Sequence, residues 1–435
     1  MSNLRLAVTL ACVGLSLVVA ACGSSSDDSG GASATASTTP AKSSNGIDQA
    51  TIDFGAQYTG LKPGKADSSM KPVTVGLVNQ EGGTPSFPEN TKAANAAVDF
   101  INNNLGGIDG HPLKIDRCVM QAEEDGQKCA AQFLDAKLPI AELSLAVIGN
   151  TAYYKTAGAK FPTLIGTTSA PADSVSPGAY SLGGGGAAVL AAMAEVAKNQ
   201  LNAKFTSVIT VDNAGGKFSA EKIAIPYMDK IGLVHSKSVY YPQSATGPDV
   251  ISALQAAQAS KADAILLDPS TPAECISVYD AVKTLNLKAK VVATPICNSD
   301  QFVKHAGGKP EGWVIVGFGV NPRVTDDPQA KVFNNIMAAA GATPEATQGF
   351  TPQVVRDFLT IAKFAHTIGP DKLTPAAFDE QIKAFKGPAF MIPGPLHCGK
   401  PSDPASPTLC GESAGISQFS DGKWSSLPNF TLPAS

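Results

Sequence analysis

Apolar runs of strand length alternate with helical patterns along most of this 435-residue chain, and this alternation constrains the fold more than any other feature. The first run, VTVGLV at 73–78, is followed by an alanine-rich segment with helical spacing at Ala93, Ala97 and Phe100. Further strand patterns follow at 113–120, 145–149, 162–166, 206–211, 235–241, 263–268 and 290–294, with helical segments between them. Strands that alternate with helices predict parallel sheets covered on both faces, so we expect an α/β fold.

The alternation restarts after the glycine run SLGGGG at 181–186, which predicts two Rossmann-like lobes and not one long sheet. We expect the first lobe to comprise residues 71–182 and 321–388, and the second to comprise 183–320 and 389–435. With Ala188, the glycine run imitates a dinucleotide fingerprint of the form G-x-G-x-x-A. The acid that such a site needs about 20 residues later is missing, so a flexible crossover is the simpler interpretation.

The beginning of the chain carries an export and anchoring pattern. An apolar run at 6–21 is too short for a comfortable membrane span, and Val19-Ala20-Ala21-Cys22 resembles the bacterial lipobox. We therefore interpret residues 1–21 as a lipoprotein signal peptide and Cys22 as the lipidation site, with an ordinary secretory signal or a single anchor helix as the alternative. Residues 22–70 are expected to be a flexible tether, because the stretch after Cys22 is rich in Ser, Gly, Ala and Thr. The protein is then expected on the outer face of the cell membrane.

Cysteine positions agree with an oxidising compartment. Of the eight cysteines, Cys12 leaves with the signal peptide and Cys22 takes lipid. The remaining six form three local couples and predict the disulfides Cys118–Cys129, Cys275–Cys297 and Cys398–Cys410, although other pairings are open from sequence alone. His397 beside Cys398 suggests a zinc site, but no C-x-x-C spacing exists, so we expect no metal.

Composition and motifs argue against nucleic-acid binding and against catalysis. The formal net charge is -4 and no basic run exists, so nucleic acid is not expected as a partner. The sequence contains no G-x-S-x-G, H-E-x-x-H or G-x-x-x-x-G-K-[ST] motif. None of the five histidines lies in the polar loops described next, so a general base of the usual kind is missing. We expect neither an enzyme nor a cofactor.

Polar loops follow the predicted strands, and ligands of open parallel sheets bind at these carboxyl ends of strands. The loops are NQEGGTPS, NTAYY and TTSAPADS in the first lobe and DNAGGKFS, DPSTPAE and TPICNSD in the second. Ser86 with Glu89, and Thr271 with Glu274, have the form of helix-capping boxes. The two sets of loops predict one cleft that both lobes line.

The segments VTVGLVNQEGG, AANAAVDFINNNLGGIDGHPLKID, DGQKCAAQFL and LAVIGN resemble the leucine/isoleucine/valine-binding branch of the type I periplasmic binding proteins. These are the solute receptors of ABC importers, and the likeness runs from residue 71 to about 400. It implies two Rossmann-like lobes with parallel sheets joined by three hinge crossovers, expected near 181–186, 317–321 and 388–394. It also implies a small-molecule ligand, ABC permease and ATPase subunits as partners, and a monomeric receptor.

Carried onto this sequence, the resemblance and the strand-end loops predict the ligand-binding residues. They are Gln80, Glu81, Ser86, Phe87, Asn150, Thr151, Tyr153, Thr168 and Ser169 in the first lobe, and Asn213, Asp268, Ser270, Thr294 and Asn298 in the second. Purely structural interpretations remain open for some of these residues. Phe87 and Tyr153 could be packed aromatics, Glu81 a solvated loop acid and Asp268 a helix cap.

Relatives that bind amino acids usually place an acid in the loop equivalent to TPICNS, where it pairs with the ligand ammonium. This chain has no acid in that loop before Asp300, and Asp268 is the alternative partner. We expect an amino-acid-like, amide or carboxylate ligand that is captured for an ABC importer. The alternative function is a ligand sensor that signals to a membrane partner without transport.

Overall fold

The structure is a computed structural model that describes residues 46–83, 85–342, 349–401 and 405–432. The predicted signal peptide, the lipidation site Cys22 and the predicted tether as far as residue 45 lie outside the described residues. Within the described ranges, no helix has both the length and the apolar character needed to cross a membrane.

Helices and strands alternate along the chain as the sequence predicts, but the strand predicted at 145–149 is wrong: the third strand is Ala141–Leu143, and 144–149 is a loop. The α-helices are α1 (Gln49–Thr59), α2 (Pro88–Asn104), α3 (Asp125–Asp135), α4 (Asn150–Ala157), α5 (Pro171–Val175), α6 (Gly185–Glu195), α7 (Ala214–Phe218), α8 (Ile225–Ile231), α9 (Gly247–Ala256), α10 (Pro272–Thr284), α11 (Asp300–His305), α12 (Pro328–Ala339), α13 (Thr351–Ile368) and α14 (Pro375–Ala384). The strands are β1 (Val73–Gln80), β2 (Leu113–Met120), β3 (Ala141–Leu143), β4 (Thr163–Ile165), β5 (Ala179–Tyr180), β6 (Thr206–Val211), β7 (Val239–Tyr241), β8 (Ala264–Asp268), β9 (Lys290–Ala293), β10 (Trp313–Gly317), β11 (Ser413–Ser420) and β12 (Lys423–Thr431). The π-helical segments Val196–Gln200 and Ser219–Ala224 extend α6 and join α7 to α8, and short 3-10 helices occupy Ala259–Lys261, Pro295–Asn298 and Pro370–Lys372.

The strands form two sheets, which confirms the predicted α/β class. The first sheet has the order β2-β1-β3-β4-β5, and all of its pairs are parallel. The second has the order β12-β11-β10-β9-β8-β6-β7 and is parallel from β10 to β7. The hairpin of β11 and β12 adds two antiparallel strands at one edge, and the sequence analysis did not predict it.

Each sheet is the centre of one lobe, and helices cover it with apolar side chains. In the first lobe, α2 buries Ala93, Ala97, Phe100 and Ile101, which are the positions that its helical spacing predicts. These side chains share one core with α13, which is buried along most of its length. In the second lobe, buried side chains pack on both faces of the sheet.

The tether prediction is wrong for the residues from 46 onward, because α1 is a packed helix of the first lobe. Asp48 caps α1 by accepting a hydrogen bond from Thr51 N, and Ile52 and Tyr58 are buried in the core of this lobe. The Tyr58 hydroxyl lies 2.8 Å from Thr360 Oγ1 on α13. A short helix with this apolar face buries enough surface to dock, whereas the Ser/Gly-rich stretch before it carries no such face.

The predicted start of the last second-lobe segment at residue 389 is also wrong. Ala389, Phe390, Met391 and Ile392 are buried in the core of the first lobe, and the Phe390 ring lies 5.4 Å from that of Phe54 on α1. The chain joins the second sheet only at β11, so the third crossover follows Cys410 and does not lie at 388–394. The two errors share one cause, because α1 supplies part of the surface against which these residues pack.

All three predicted disulfides are present. Cys118 on β2 pairs with Cys129 on α3, and Cys275 on α10 pairs with Cys297 in the 3-10 helix after β9. Cys398 pairs with Cys410 in the segment before β11, so its sulfur is engaged in a disulfide and not in the zinc site considered from sequence.

Candidate ligand-binding cleft

Three chain segments connect the two lobes, and their backbones lie against one another. Ser181 N donates to Thr408 O at 2.8 Å, which joins the first crossover to the segment that precedes the third. Val320 N, in the second crossover, donates to Met391 O at 2.8 Å. Gly415 lies so close to this crossover that a Cβ atom there would be 2.0 Å from Gly319 O. Only glycine permits this backbone approach, so the crossovers form one compact junction.

A narrow cleft lies beside the second crossover, and both lobes line it. Asn298, Asn321 and Ser417 contribute from the second lobe and its crossover, and Pro352 and Gln353 contribute from the first turn of α13 in the first lobe. The cleft is tight in this arrangement of the lobes: its volume is about 20 Å³, the room of about one water molecule, and it opens to solvent. None of the fourteen described residues that line it carries a charge.

A chain of amide side chains organises the second-lobe wall of this cleft. Asn298 Nδ2 donates to Asn321 Oδ1 at 2.8 Å, and Asn321 Nδ2 donates to Ser417 Oγ at 2.7 Å. Asn298 Oδ1 and Gln353 Oε1 are buried, and neither accepts a hydrogen bond from any residue that the structure describes. A buried acceptor without a partner costs about 1–3 kcal/mol, so each is expected to pair with a water molecule or a ligand group.

Gln80, the predicted site residue at the end of β1, is engaged by its own lobe. Its Nε2 donates to Pro85 O at 2.9 Å, and its Oε1 accepts from Val147 N at 2.8 Å. The side chain thus connects the loop after β1 to the loop after β3, and both of its polar atoms are already paired. Gln80 therefore holds these two loops of the first lobe together.

Glu81 is the first acid of the same loop, and it is also paired. Its carboxylate lies 2.6 Å from Arg117 Nη2 and accepts hydrogen bonds from Asn79 Nδ2 and Thr91 Oγ1. The charge of Glu81 is therefore balanced within the first lobe. Its side chain holds β1, β2 and α2 together at the edge of the sheet.

The capping box predicted for Ser86 and Glu89 is wrong. The residue that precedes α2 is Phe87, and Ser86 Oγ accepts instead from Gly82 N at 3.0 Å. Asn79 Nδ2 donates to Phe87 O at 2.7 Å, so the backbone of Phe87 is fixed by the strand and the helix begins only after it. Ser86 closes the loop and does not cap the helix.

Phe87 belongs to a row of three aromatic rings that leads to the cleft. Its ring centroid lies 6.3 Å from that of Phe350, which precedes α13, and the two rings meet edge to face. Phe350 lies 5.9 Å from Phe318, which lines the cleft at the second crossover. No local sequence pattern marks Phe350 or Phe318 as site residues, because only the fold brings α13 next to the end of β10.

The loops after β3 and β4 meet at Asp173, an acid that the sequence analysis did not single out. Asp173 is fully buried and accepts from Asn150 Nδ2 at 2.8 Å, from Ser169 N at 2.8 Å and from the Tyr154 hydroxyl at 2.9 Å. Burial raises the pKa of Asp173, and the hydrogen bonds that it accepts oppose this shift. The structure therefore does bring the predicted residues Asn150 and Ser169 together. The Asn150 Oδ1 atom has no partner among the described residues.

The other three predicted residues of these loops have different positions. Tyr153 is wrong as a ligand contact, because it is fully buried in an apolar cluster and its hydroxyl lies 3.1 Å from Thr163 Oγ1. It falls on the inner face of α4, so the packed-aromatic interpretation is the right one. Thr151 is exposed in the first turn of α4. Thr168 Oγ1 accepts from Gly186 N at 3.2 Å and so contacts the start of α6 across the first crossover.

In the second lobe, the predicted residues Asn213 and Ser270 lie together. Asn213 caps α7 by accepting from Gly216 N at 2.8 Å, and its Nδ2 donates to Ser270 Oγ at 3.2 Å. Thr271 caps α10 by accepting from Glu274 N at 3.4 Å, but the Glu274 carboxylate accepts from Ser270 N and the Thr271 hydroxyl, so the second predicted capping box is formed only in part. Thr294 is buried after β9, and its hydroxyl has no partner among the described residues.

Asp268 contributes to a second cavity, inside the second lobe. This mostly apolar cavity lies between β6, β8, α6 and the π-helical segment that begins at Ser219, and Leu190, Met193 and Leu266 help to line it. Burial raises the pKa of Asp268 to about 6, against the lowering effect of a hydrogen bond from Ser219. Asp268 does not line the cleft beside the second crossover.

A buried charged cluster lies one turn beyond Gln353 on α13. Arg356 Nε donates to Asp357 Oδ1 at 2.7 Å, and Arg356 Nη2 donates to Gly166 O at 3.3 Å. Glu142 on β3 is fully buried, and neither of its carboxyl oxygens has a partner among the described residues. Burial, and then the charge of Asp357, raise the pKa of Glu142 well above its ordinary value and so favour its neutral form.

Comparison with known proteins identifies a family and a fold. A family model described as periplasmic binding protein matches residues 72–399. The chain is similar to a substrate-binding protein of an ABC transporter from Sphaerobacter thermophilus, with 16% identity, a TM-score of 0.67 and coverage of 83% of this chain and 98% of that one. It is similar to a leucine binding protein from Thermotoga maritima, with 15% identity, a TM-score of 0.64 and coverage of 82% and 99%.

A third similar structure is a solute binding protein of an ABC transporter from Rhodopseudomonas palustris HaA2, solved with p-hydroxybenzoic acid. Here the identity is 17%, the TM-score is 0.66, and the coverage is 83% of this chain and 97% of that one. At 15–17% sequence identity, these similarities establish the fold alone. Comparison with curated protein sequences gives no match.

Proposed function

This chain belongs to the type I periplasmic binding protein family, and we propose that it is a receptor that captures a small molecule between its two lobes. The observation that carries the proposal is the cleft beside the second crossover, which has walls from both lobes. A ligand that contacts both walls binds the closed arrangement of the lobes better than an open one. Binding then shifts the population toward the closed state, which a partner can recognise.

The ligand class that we propose is an amino-acid-like molecule, an amide or a carboxylate of small size. Solved structures with the same fold include a protein bound to isoleucine from Streptococcus pneumoniae and proteins bound to 4-hydroxybenzoate. An amino-acid ammonium needs an anionic partner, and Glu81 is already paired with Arg117. Asp300, the first acid after the loop at 294–299, is paired with Arg323. This pairing favours ligands without an ammonium group.

We further propose that Cys22 is lipidated and that the receptor delivers its ligand to the permease and ATPase subunits of an ABC importer outside the cytoplasm. The lipobox-like order of residues 19–22 supports the anchor. The sequence contains no P-loop motif, so energy for transport has to come from partner subunits.

A thermal-shift screen of the purified protein tests the binding function. The panel contains amino acids, amides, short carboxylates, aromatic acids and sugars. A ligand present at about 100 times its dissociation constant adds about 2.7 kcal/mol to the stability, which raises the melting temperature by several degrees. Absence of any shift across the panel would count against a small-molecule receptor, and a shift with leucine-like amino acids alone would contradict the expected lack of an ammonium partner.

A further inference from the structure

We propose that the cleft beside the second crossover binds a neutral hydrogen-bond donor of the ligand, such as a carboxamide or a hydroxyl group. The two acceptors are Asn298 Oδ1 from the second lobe and Gln353 Oε1 from the first. This inference rests on the proposed function and names the chemistry of its ligand at one end of the site.

The orientation of Asn298 follows from a backbone group that cannot be exchanged. Arg323 N donates to Asn321 Oδ1 at 2.9 Å, and a backbone N–H can only donate, so the Asn321 atom at that position is the oxygen. Asn298 approaches the same oxygen at 2.8 Å, so it presents its Nδ2 there. The remaining polar atom of Asn298 is therefore an acceptor. It belongs to a side chain that lines the cleft and is buried without a partner among the described residues.

Gln353 supplies the second acceptor from the opposite wall. It lies in the first turn of α13, and its residue is 5% exposed. Its Oε1 is buried and has no partner in the part of the chain that the structure describes. Because Asn298 and Gln353 belong to different lobes, a donor that reaches both atoms stabilises the closed arrangement directly.

The uncharged lining decides which donors fit. An ammonium group buried here finds no carboxylate among the fourteen described lining residues, and a carboxylate would face two acceptor oxygens. Asn321 Nδ2 already donates to Ser417 Oγ, so the hydroxyl hydrogen of Ser417 is left to donate to a ligand acceptor. Two acceptor oxygens, with the Ser417 hydroxyl and the Gln353 amide N–H groups as donors, match a carboxamide, which has two N–H bonds and one carbonyl oxygen.

The test compares two substitutions of the same kind. Gln353→Met removes an acceptor that has no partner, whereas Gln329→Met removes one that accepts from Met391 N. We expect Q353M to leave the melting temperature of the free protein unchanged or slightly higher. We expect Q329M to lower it by about 2 °C, because a hydrogen bond is lost. Binding is then measured by calorimetry with propanamide, propanoate and propylamine, with benzamide, benzoate and benzylamine, and with the best ligand of the wider screen.

The inference predicts that the wild-type protein prefers the amide in each set of three. Q353M should weaken amide binding at least tenfold and remove the preference, whereas Q329M should retain both. Gln353→Glu, which introduces a carboxylate at nearly the same size, should move the preference toward the amines.

Four results would overturn the inference. The wild-type protein could prefer carboxylates or amines, or Q353M could bind amides within twofold of the wild type. Either result would refute the proposal that the cleft binds a neutral donor and would leave the receptor function standing. A fall in melting temperature for Q353M as large as that for Q329M would show that the Gln353 amide has a structural role. If no compound of these sets or of the wider screen binds, the proposed function fails and this inference falls with it.

Discussion

Two aspartates of the first lobe have the same local geometry and opposite pKa shifts. Asp125 Oδ2 accepts from Gln121 N and Ala122 N, both at 2.9 Å. Asp173 Oδ2 accepts from Ser169 N at 2.8 Å and from Ala170 N at 2.9 Å, with the same spacing along the chain. Each carboxylate thereby organises the start of a helix at the carboxyl end of the first sheet.

The two residues differ in what surrounds the second carboxyl oxygen. Asp125 Oδ1 lies near the surface, 2.8 Å from Lys128 Nζ, and this hydrogen bond with the backbone donors lowers the pKa of Asp125 to about 2. Asp173 Oδ1 is enclosed and meets neutral donors only, and burial raises the pKa of Asp173. Burial and the charge of the partner therefore decide the sign of the shift when the backbone contacts are the same.

The largest effect that we predict is on replacement of the buried acid. Asp173→Ala leaves two backbone N–H groups, Asn150 Nδ2 and the Tyr154 hydroxyl without their acceptor, and Asp173, Asn150 and Tyr154 are all buried. We expect a loss of about 3–5 kcal/mol in the free energy of unfolding, measured by urea titration. Asp125→Ala is the matched control and should cost clearly less, because water can reach the freed N–H groups. Equal losses would show that burial does not separate the two sites.

The two aspartates also show which features of this molecule can be predicted from its sequence. The α/β class, the three disulfides and the cap at Thr271 depend on periodicity or on residues close in sequence, and the sequence analysis predicted them. Asp173 was missed although it lies in a loop that had been selected as polar. Its role depends on Asn150, which is 23 residues away, and on an enclosure that no local pattern reveals.

The errors at individual residues have the same origin. The sequence pattern predicts a loop at Tyr153, but α4 begins at Asn150 and turns Tyr153 into the core. Gln353 and Ser417 were missed because they lie on a helix and on a hairpin distant in sequence from Asn298. Asn321 follows β10 as Asn298 follows β9, so the expectation that ligands bind at the carboxyl ends of strands would have identified it.

A smaller effect is expected at Glu142, the buried acid that has no hydrogen-bond partner among the described residues. Its pKa is raised in the folded protein, so above about pH 4.5 the folded state binds a proton that the unfolded state releases. The stability that this proton provides is complete below that pH and is lost as the pH rises through the folded pKa. Glu142→Gln cannot ionise, so we expect its stability relative to the wild type to increase by up to about 1.4 kcal/mol per pH unit in this window.

Urea titrations between pH 5 and pH 9 measure how the free energies of unfolding of E142Q and the wild type diverge as the pH rises. Glu380→Gln, a substitution at an exposed residue of α14, is the control, and its stability should depend on pH in the same way as that of the wild type. A constant difference between E142Q and the wild type across the range would mean that Glu142 is already ionised, with Arg356 balancing both its charge and that of Asp357.

The smallest effect is expected when Lys128, the ion-pair partner of Asp125, is replaced. Lys128→Met removes the ion pair with Asp125 and leaves the two backbone donors in place. The side-chain hydrogen bond from Lys128 is the largest cause of the low pKa of Asp125, so we expect this pKa to rise from about 2 toward its ordinary value of 3.8, as followed by NMR titration. The melting temperature at neutral pH should hardly change, because an exposed ion pair stabilises little. Retention of a pKa near 2 in K128M would assign the shift to the backbone N–H groups, and the difference between Asp125 and Asp173 would then be due to burial alone.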